Sequence, residues 1–177
     1  MLEKKFCQTE AALTAEGAVI SGYASVFGQV DRGGDVVAAG AYKACLEDLQ
    51  RSGRPVRMLW QHDPAQPIGV WDELREDDHG LWVKGRLLDG VEKGREAAAL
   101  IEAGAIDGLS IGYRCTKAVK DQSGHRILKE VDLWEVSLVT FPMLPTATVA
   151  RKGEMADPNW RHVADAFRDA AKVMHAG

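Results

Sequence analysis

The sequence predicts a mainly β fold with peripheral α-helices (α+β), in the form of an antiparallel β-barrel with its helices on the outside. Two observations lead to this prediction. About seven segments have the period-two alternation or the β-branched and aromatic content of strands, and turn-rich stretches separate them. Two other segments place apolar residues at helical spacing, and both are inserted between the strands.

The predicted strands follow one another along most of the chain. Residues 17–27 form the first, which breaks at a glycine-rich loop, and residues 56–61 form the second. Residues 66–74 and 80–88 are separated by a turn-rich stretch, so we expect them to pair as a hairpin. The remaining predicted strands are 106–118, 127–141 and a short one at 146–149.

Helical periodicity marks residues 41–50 and 92–104, each of which ends near a glycine. Beyond Arg151 the pattern changes, and Asp157 with Pro158 begins a further helix. We therefore predict a domain at 1–150 and a C-terminal helical tail at 151–177.

Composition excludes several classes of protein. Of the 177 residues, 46% are hydrophobic and 27% are charged, as expected for a soluble globular domain. The net charge is −4 with no basic stripe, so nucleic acid is not an expected partner. No apolar run approaches the roughly 20 residues of a membrane span, and the polar N-terminus does not predict export. Three widely spaced cysteines fit a reducing cytoplasm better than a disulfide framework.

Ser110 is the candidate nucleophile. It lies between Gly108 and Gly112 in the string GLSIG, and flanking glycines let another backbone approach a hydroxyl closely. The string matches the G-x-S-x-G nucleophile elbow, but an elbow needs a helix after the serine and a histidine downstream. Residues 111–118 instead have the pattern of a strand. A strand serine without a catalytic role remains the alternative at this point.

His62 is the candidate general base, because a serine hydroxyl needs a base within hydrogen-bond reach. The alternation of Val56, Met58 and Trp60 predicts a strand, and His62 continues its apolar face. A core histidine bonded to a backbone carbonyl is the alternative.

Glu135 is the candidate group that orients the histidine. Period-two alternation places it on one face with Leu133, Ser137 and Val139. A carboxylate on a buried face needs a partner, and an imidazolium is a suitable one. The alternatives are a solvent-facing carboxylate and an arginine partner.

Five blocks share their order and spacing with a known family. They are residues 22–27 (GYASVF), 31–35 (DRGGD), 60–63 (WQHD) with 67–69 (PIG), 104–113 (GAIDGLSIGY) and 135–142 (EVSLVTFP). In these blocks the chain closely resembles the prohead protease family of tailed bacteriophages and related gene-transfer particles, over about residues 17–150.

The resemblance implies an assemblin-like β-barrel and a role for each site residue. The family's catalytic histidine corresponds to His62 and its serine to Ser110. Assemblins have a second histidine as the third member, and Glu135 occupies that position here. Asp132 and Ser137 are kept as substitutes for it. The oxyanion donors are not identified, with Arg114 and the bend at 141–145 as guesses.

The resemblance also implies acyl transfer without a metal or cofactor. The implied substrates are the delta or scaffolding segment of the major capsid protein and the protease itself, inside the procapsid in the host bacterial cytoplasm. Because assemblins dimerise to become active, we expect a homo-oligomer.

Three alternatives remain open. The first, from another class, is a non-catalytic capsid-assembly or scaffolding module with the same fold. The second is a nucleophilic cysteine, Cys45 or Cys115, although both are better explained as small hydrophobic residues. The third is a metal hydrolase built on His62, Asp63 and His79, whose spacing does not match common zinc motifs.

Overall fold

The computed structural model describes residues 3–14 and 17–141. The predicted strand at 146–149 and the predicted tail helix lie outside these residues. The division into a domain at 1–150 and a tail at 151–177 therefore stays a prediction.

The described chain is mainly β, as predicted, with two helices. In chain order the elements are β1 (Glu3–Thr14), β2 (Gly17–Val26), β3 (Asp35–Val37), α1 (Lys43–Ser52), β4 (Arg57–Trp60), β5 (Asp63–Glu76), β6 (Gly80–Leu87), α2 (Glu92–Glu102), β7 (Gly108–Lys120) and β8 (Arg126–Val139). The predicted hairpin is confirmed, since β5 pairs antiparallel with β6. Two of the strands, β1 and β3, were not predicted.

All eight described strands belong to one sheet, in the order β3-β8-β4-β5-β6-β2-β1-β7. A further pairing joins β7 to β8, so the sheet curls round and its hydrogen bonding returns to β8. The pairing is antiparallel except at β3–β8 and β4–β8, which are parallel. Strands β3 and β4 lie on either side of β8, and the crossover between them contains α1. Strand β8 thereby lies between the two elements that carry the other site residues, β7 and the end of β4.

The core is built from the strands together with one face of each helix. Cys45 and Leu49 of α1 and Ala97 and Ile101 of α2 are buried among strand residues such as Leu138. Burying an aliphatic side chain stabilises a fold by about 1.5–3 kcal/mol, so the helix faces add substantially to stability. Among the described residues, no helix is long and apolar enough to cross a membrane.

Residues 31–35 form hydrogen bonds that connect β3 to β7 and β8. Asp31 Oδ1 accepts hydrogen bonds from the backbone N–H groups of Gly33 and Asp35, at 2.8 and 2.9 Å. The carboxylate of Asp35 contacts β8, where its two oxygens accept hydrogen bonds from Arg126 at 2.8 and 2.5 Å. Tyr113 of β7 donates a hydrogen bond to the same carboxylate at 3.1 Å. This buried contact ties three strands together close to the Ser110 segment.

Candidate active site

Ser110 lies near the start of β7, in the middle of the sheet. Its Cα partner is Ser137 on β8 and, on the other side, Phe6 on β1. It is fully buried. Because β7 continues unbroken to Lys120, no helix follows the serine, and the nucleophile-elbow alternative is excluded.

His62 lies in a tight turn and not on a strand face, so that part of the sequence prediction was wrong. Strand β4 ends at Trp60, and the next two residues are left-handed, with φ of 52° at Gln61 and 63° at His62. This conformation costs roughly 1–2 kcal/mol for each residue that is not glycine. From this turn the His62 ring reaches Glu135, which is the Cα partner of Arg57 on β4 and not of Met58 or Trp60.

Gln61 anchors this turn to the end of β8. Its backbone N–H donates to the Leu138 carbonyl at 2.8 Å. Its side-chain amide donates to Thr140 Oγ1 at 2.6 Å. These contacts join the turn to the strand that carries Glu135. Sequence reasoning did not identify Gln61, although it lies in the WQHD block.

The imidazole of His62 bridges the serine and the glutamate. Ser110 Oγ lies 2.6 Å from His62 Nε2, and Glu135 Oε1 lies 2.5 Å from His62 Nδ1. A carboxylate can only accept, so Nδ1 carries the proton and Nε2 accepts from the serine hydroxyl. The side chains of His62 and Glu135 are 4% and 5% exposed. The structure thus brings all three sequence-predicted site residues together.

Gly112 makes room for the glutamate. Gly112 and Glu135 are Cα partners across β7 and β8. A Cβ atom on Gly112 would lie 2.3 Å from Glu135 Cγ and 2.4 Å from Oε1. Sequence reasoning gave the flanking glycines a role in substrate approach. The structure assigns Gly112 a different one, which is to leave space for the carboxylate beside His62.

The substitutes for Glu135 lie in other surroundings. Asp132 accepts hydrogen bonds from Arg54 at 2.6 Å and from Trp134 Nε1 at 2.8 Å. Ser137 is fully buried, and its hydroxyl has no hydrogen-bond partner among the residues that the structure describes. Arg114, the guessed oxyanion donor, is exposed and lies 5.5 Å from the centre of the Trp134 ring. Of the bend at 141–145, only its first residue is described.

The thiols do not form a second candidate site. Burial raises the pKa of the Cys45 thiol and the nearby Asp132 charge adds to the rise, although a hydrogen bond from Leu133 N–H opposes it. A protonated thiol is a poor nucleophile. Cys115 is half-buried on β7.

The three residues considered for a metal hydrolase, His62, Asp63 and His79, do not form a metal-binding group in the structure. The carboxylate of Asp63 accepts hydrogen bonds from Ala65 N–H and from the Gln66 side chain, both at 2.9 Å, which shapes the loop after His62. His79 packs edge-on against Tyr23, with ring centroids 4.4 Å apart. Within residues 3–14 and 17–141, no three His, Cys, Asp or Glu side chains are grouped as metal ligands.

Chemically, an imidazole held between a buried carboxylate and a serine hydroxyl can remove the hydroxyl proton and create a nucleophile. The carboxylate fixes the ring orientation and stabilises the imidazolium that forms. The arrangement is therefore competent for acyl transfer.

Several known proteins are similar to this chain in sequence or in fold. The family model of the caudovirus prohead serine protease matches residues 5–159. The prohead protease of Enterobacteria phage HK97 is 35% identical over 152 residues, which cover 82% of this chain and 65% of that protein. The prohead protease of Escherichia phage T5 is 33% identical over 129 residues, covering 72% and 60%. The chain thus spans less than two thirds of the length of these relatives.

Two further matches agree with these. The capsid polyprotein of Pseudomonas phage PAJU2 is 32% identical over 146 residues, which cover 78% of this chain and 20% of that protein. The solved structure of the bacteriophage T4 capsid assembly protease superimposes with a TM-score of 0.65 at 17% identity, covering 78% of this chain and 97% of that one. This last likeness supports the fold alone. The family match extends over most of the chain and confirms the resemblance seen in its sequence blocks, and the chain therefore belongs to the caudovirus prohead serine protease family.

Proposed function

We propose that the chain is a serine endopeptidase in which Ser110 is the nucleophile, His62 the general base and Glu135 the group that orients His62. The observation that carries this proposal is the 2.6 Å contact between Ser110 Oγ and His62 Nε2, with the Glu135 carboxylate on the other ring nitrogen. Family membership supports the same reaction class.

The proposed reaction begins when His62 Nε2 takes the proton of Ser110. The Ser110 Oγ then bonds to the carbonyl carbon of the scissile peptide, and the carbonyl electron pair moves onto its oxygen. When the peptide bond breaks, His62 gives its proton to the leaving amine. Water then hydrolyses the acyl-enzyme with the same histidine as base, and Glu135 stays ionised throughout.

Access to Ser110 limits when this reaction can occur. Ser110 has no exposed surface in this conformation. A polypeptide can reach its Oγ only after neighbouring residues shift. An enzyme that is confined with its substrate during assembly has a use for such a closed state, because the closed state delays cleavage.

The proposed substrate is the delta or scaffolding segment of the major capsid protein, together with the protease itself. Support comes from the family and from a relative that is a capsid polyprotein. The corresponding place of action is the procapsid in the host cytoplasm. By analogy with assemblins we propose a homo-oligomer.

The test is co-expression with the major capsid protein, followed by mass analysis of the products. Ser110→Ala and His62→Ala should each abolish processing, because each removes one partner of the proton transfer. His125→Ala, at a histidine in the turn between β7 and β8, is the control and should process normally. Circular dichroism checks that each variant is folded.

If either site variant processes the capsid protein at close to the unmodified rate, the peptidase assignment is wrong. The result would then favour the alternative, a capsid-assembly or scaffolding module that shares the fold without cleaving.

A further inference from the structure

The hydroxyl of Ser137 is buried and forms no hydrogen bond within the described residues. Ser137 has no exposed surface, and none of the described residues forms a hydrogen bond with its Oγ. A buried hydroxyl in this state loses its water contacts and gains nothing in return. There are two explanations for such a hydroxyl. The first is that serine has no advantage over alanine at this position, and the second is that the hydroxyl gains a hydrogen-bond partner in another state of the protein.

The position of Ser137 identifies that partner. Ser137 and Ser110 are Cα partners in the antiparallel pairing of β8 with β7. Residues directly opposite in such a pair point to the same face, with Cβ atoms about 4.5–5.5 Å apart. Glu135, two residues earlier on β8, lies on this face as well, and its carboxylate reaches His62. The unpartnered hydroxyl is therefore beside the nucleophile.

We propose that Ser137 is a fourth catalytic residue, whose hydroxyl donates a hydrogen bond to Ser110 Oγ as that oxygen loses its proton. This inference rests on the proposed peptidase function. In the resting state the Ser110 oxygen keeps its proton and donates to His62. Once the proton moves to Nε2, the oxygen becomes a strong acceptor, and rotation of the Ser137 side chain about its Cα–Cβ bond brings the Ser137 hydroxyl into position to donate to it.

The step transfers no further proton and needs no added reactant. Ser137 keeps its own hydrogen throughout, and the Oγ electron pair forms the bond to the carbonyl carbon. In deacylation the same oxygen leaves with its electron pair and takes its proton back from His62. A donor that acts only on developing charge favours the transition state over the ground state.

The experiment measures how fast an aryl phosphonate ester probe phosphonylates Ser110, with a phenoxide as the leaving group and with peptide mapping to locate the label. Ser137→Ala should lower the maximal labelling rate about tenfold to a hundredfold and leave the half-saturating probe concentration unchanged. The midpoint of the pH profile should not move, since the contacts of His62 with Ser110 and Glu135 are retained. The melting temperature should stay the same or rise, because the variant removes an unpartnered polar group.

Ser25→Ala is the matched control. Ser25 of β2 is equally buried, and within the described part of the chain its hydroxyl also has no hydrogen-bond partner. It lies outside β7 and β8, so its removal should not change the labelling rate.

Three results would overturn the inference. They are a Ser137→Ala rate within twofold of the unmodified protein, an equal loss in Ser25→Ala, and a shift in the midpoint of the pH profile, which would mean that His62 had moved. In all three the unmodified protein is still labelled at Ser110 and the peptidase proposal stands. If the unmodified protein is not labelled at Ser110 even when it is co-expressed with the major capsid protein, under the conditions of the processing test, both proposals fail.

Discussion

Replacing Gly112 with alanine would place a methyl group where the Glu135 side chain now lies. The added carbon would be 2.3 Å from Glu135 Cγ and 2.7 Å from Cδ. Ordinary contacts between carbon atoms are about 3.5–4.0 Å, so the carboxylate must move by about 1 Å. The neighbour that must move is a side chain, so we expect the sheet itself to keep its structure.

The displacement affects the contact between Glu135 and His62. Its length is 2.5 Å, and lengthening it by about 1 Å puts it beyond the range of a hydrogen bond. A hydrogen bond to a charged group is worth about 1.5–3 kcal/mol. At 1.36 kcal/mol for each factor of ten, Gly112→Ala should lower the rate at which the phosphonate probe labels Ser110 by roughly tenfold to 150-fold.

The assay is the labelling of Ser110 by a phosphonate probe, with thermal melting to check the fold. In the Glu135→Ala background the new methyl group has free space, so Gly112→Ala should change the rate less than twofold. Gly90→Ala is the control, because a Cβ atom at Gly90 would have no described residue within 4 Å apart from its chain neighbours. An unchanged rate in Gly112→Ala, or an equal loss in both backgrounds, would refute the steric argument.

Two further predictions concern groups outside this triad. Partial burial raises the pKa of Asp77, but hydrogen bonds from His79 N–H and Tyr23 OH, among others, lower it more, and the net pKa lies below its ordinary value. A lowered pKa in the folded state stabilises the protein fully above the unfolded pKa, and this stabilisation is lost as pH falls through the folded pKa. Asp77→Asn should therefore lower the free energy of unfolding at pH 7 by about 1–2 kcal/mol, and the difference should shrink below about pH 4 in urea titrations. A difference that stays constant down to pH 2 would contradict this. Gln61→Ala should lower the rate of Ser110 labelling by the phosphonate probe roughly threefold to tenfold, since its side chain holds the turn against Thr140. Thr140→Val removes the same contact and should cause no added loss in the double variant, so fully additive losses would argue against the anchor.

Much of the fold follows from local pattern. The period-two alternation around Glu135 predicted that Leu133, Glu135, Ser137 and Val139 share one face, and left open whether this face is buried. All four are buried in the structure. Both helices and the hairpin of β5 with β6 were also predicted near their observed positions. These elements depend on neighbours that are close in sequence, so alternation and turn residues are enough to mark them.

The missed strands have non-local causes. Residues 3–14 begin with the polar run EKK and pair with β2 and β7, which supply their hydrogen-bond partners from elsewhere in the chain. Strand β3 is three residues long, too short for any period to appear. The parallel pairing of β4 with β8 depends on a crossover, and turn residues cannot predict a crossover.

The sequence by itself made Ser110, His62 and Glu135 candidates and, through the ordered family blocks, indicated which reaction they belong to. Only the tertiary structure decided that they meet. His62 and Glu135 are 73 positions apart in the sequence. A left-handed turn at Gln61 and His62 brings the His62 ring to Ser110, and this turn contains no glycine or asparagine from which it could have been predicted. The space that Gly112 leaves for the carboxylate also exists only once β7 and β8 are in register. The physical reason is that residue type and local period limit which chemistry is available, whereas hydrogen-bond distances depend on pairings between distant parts of the chain.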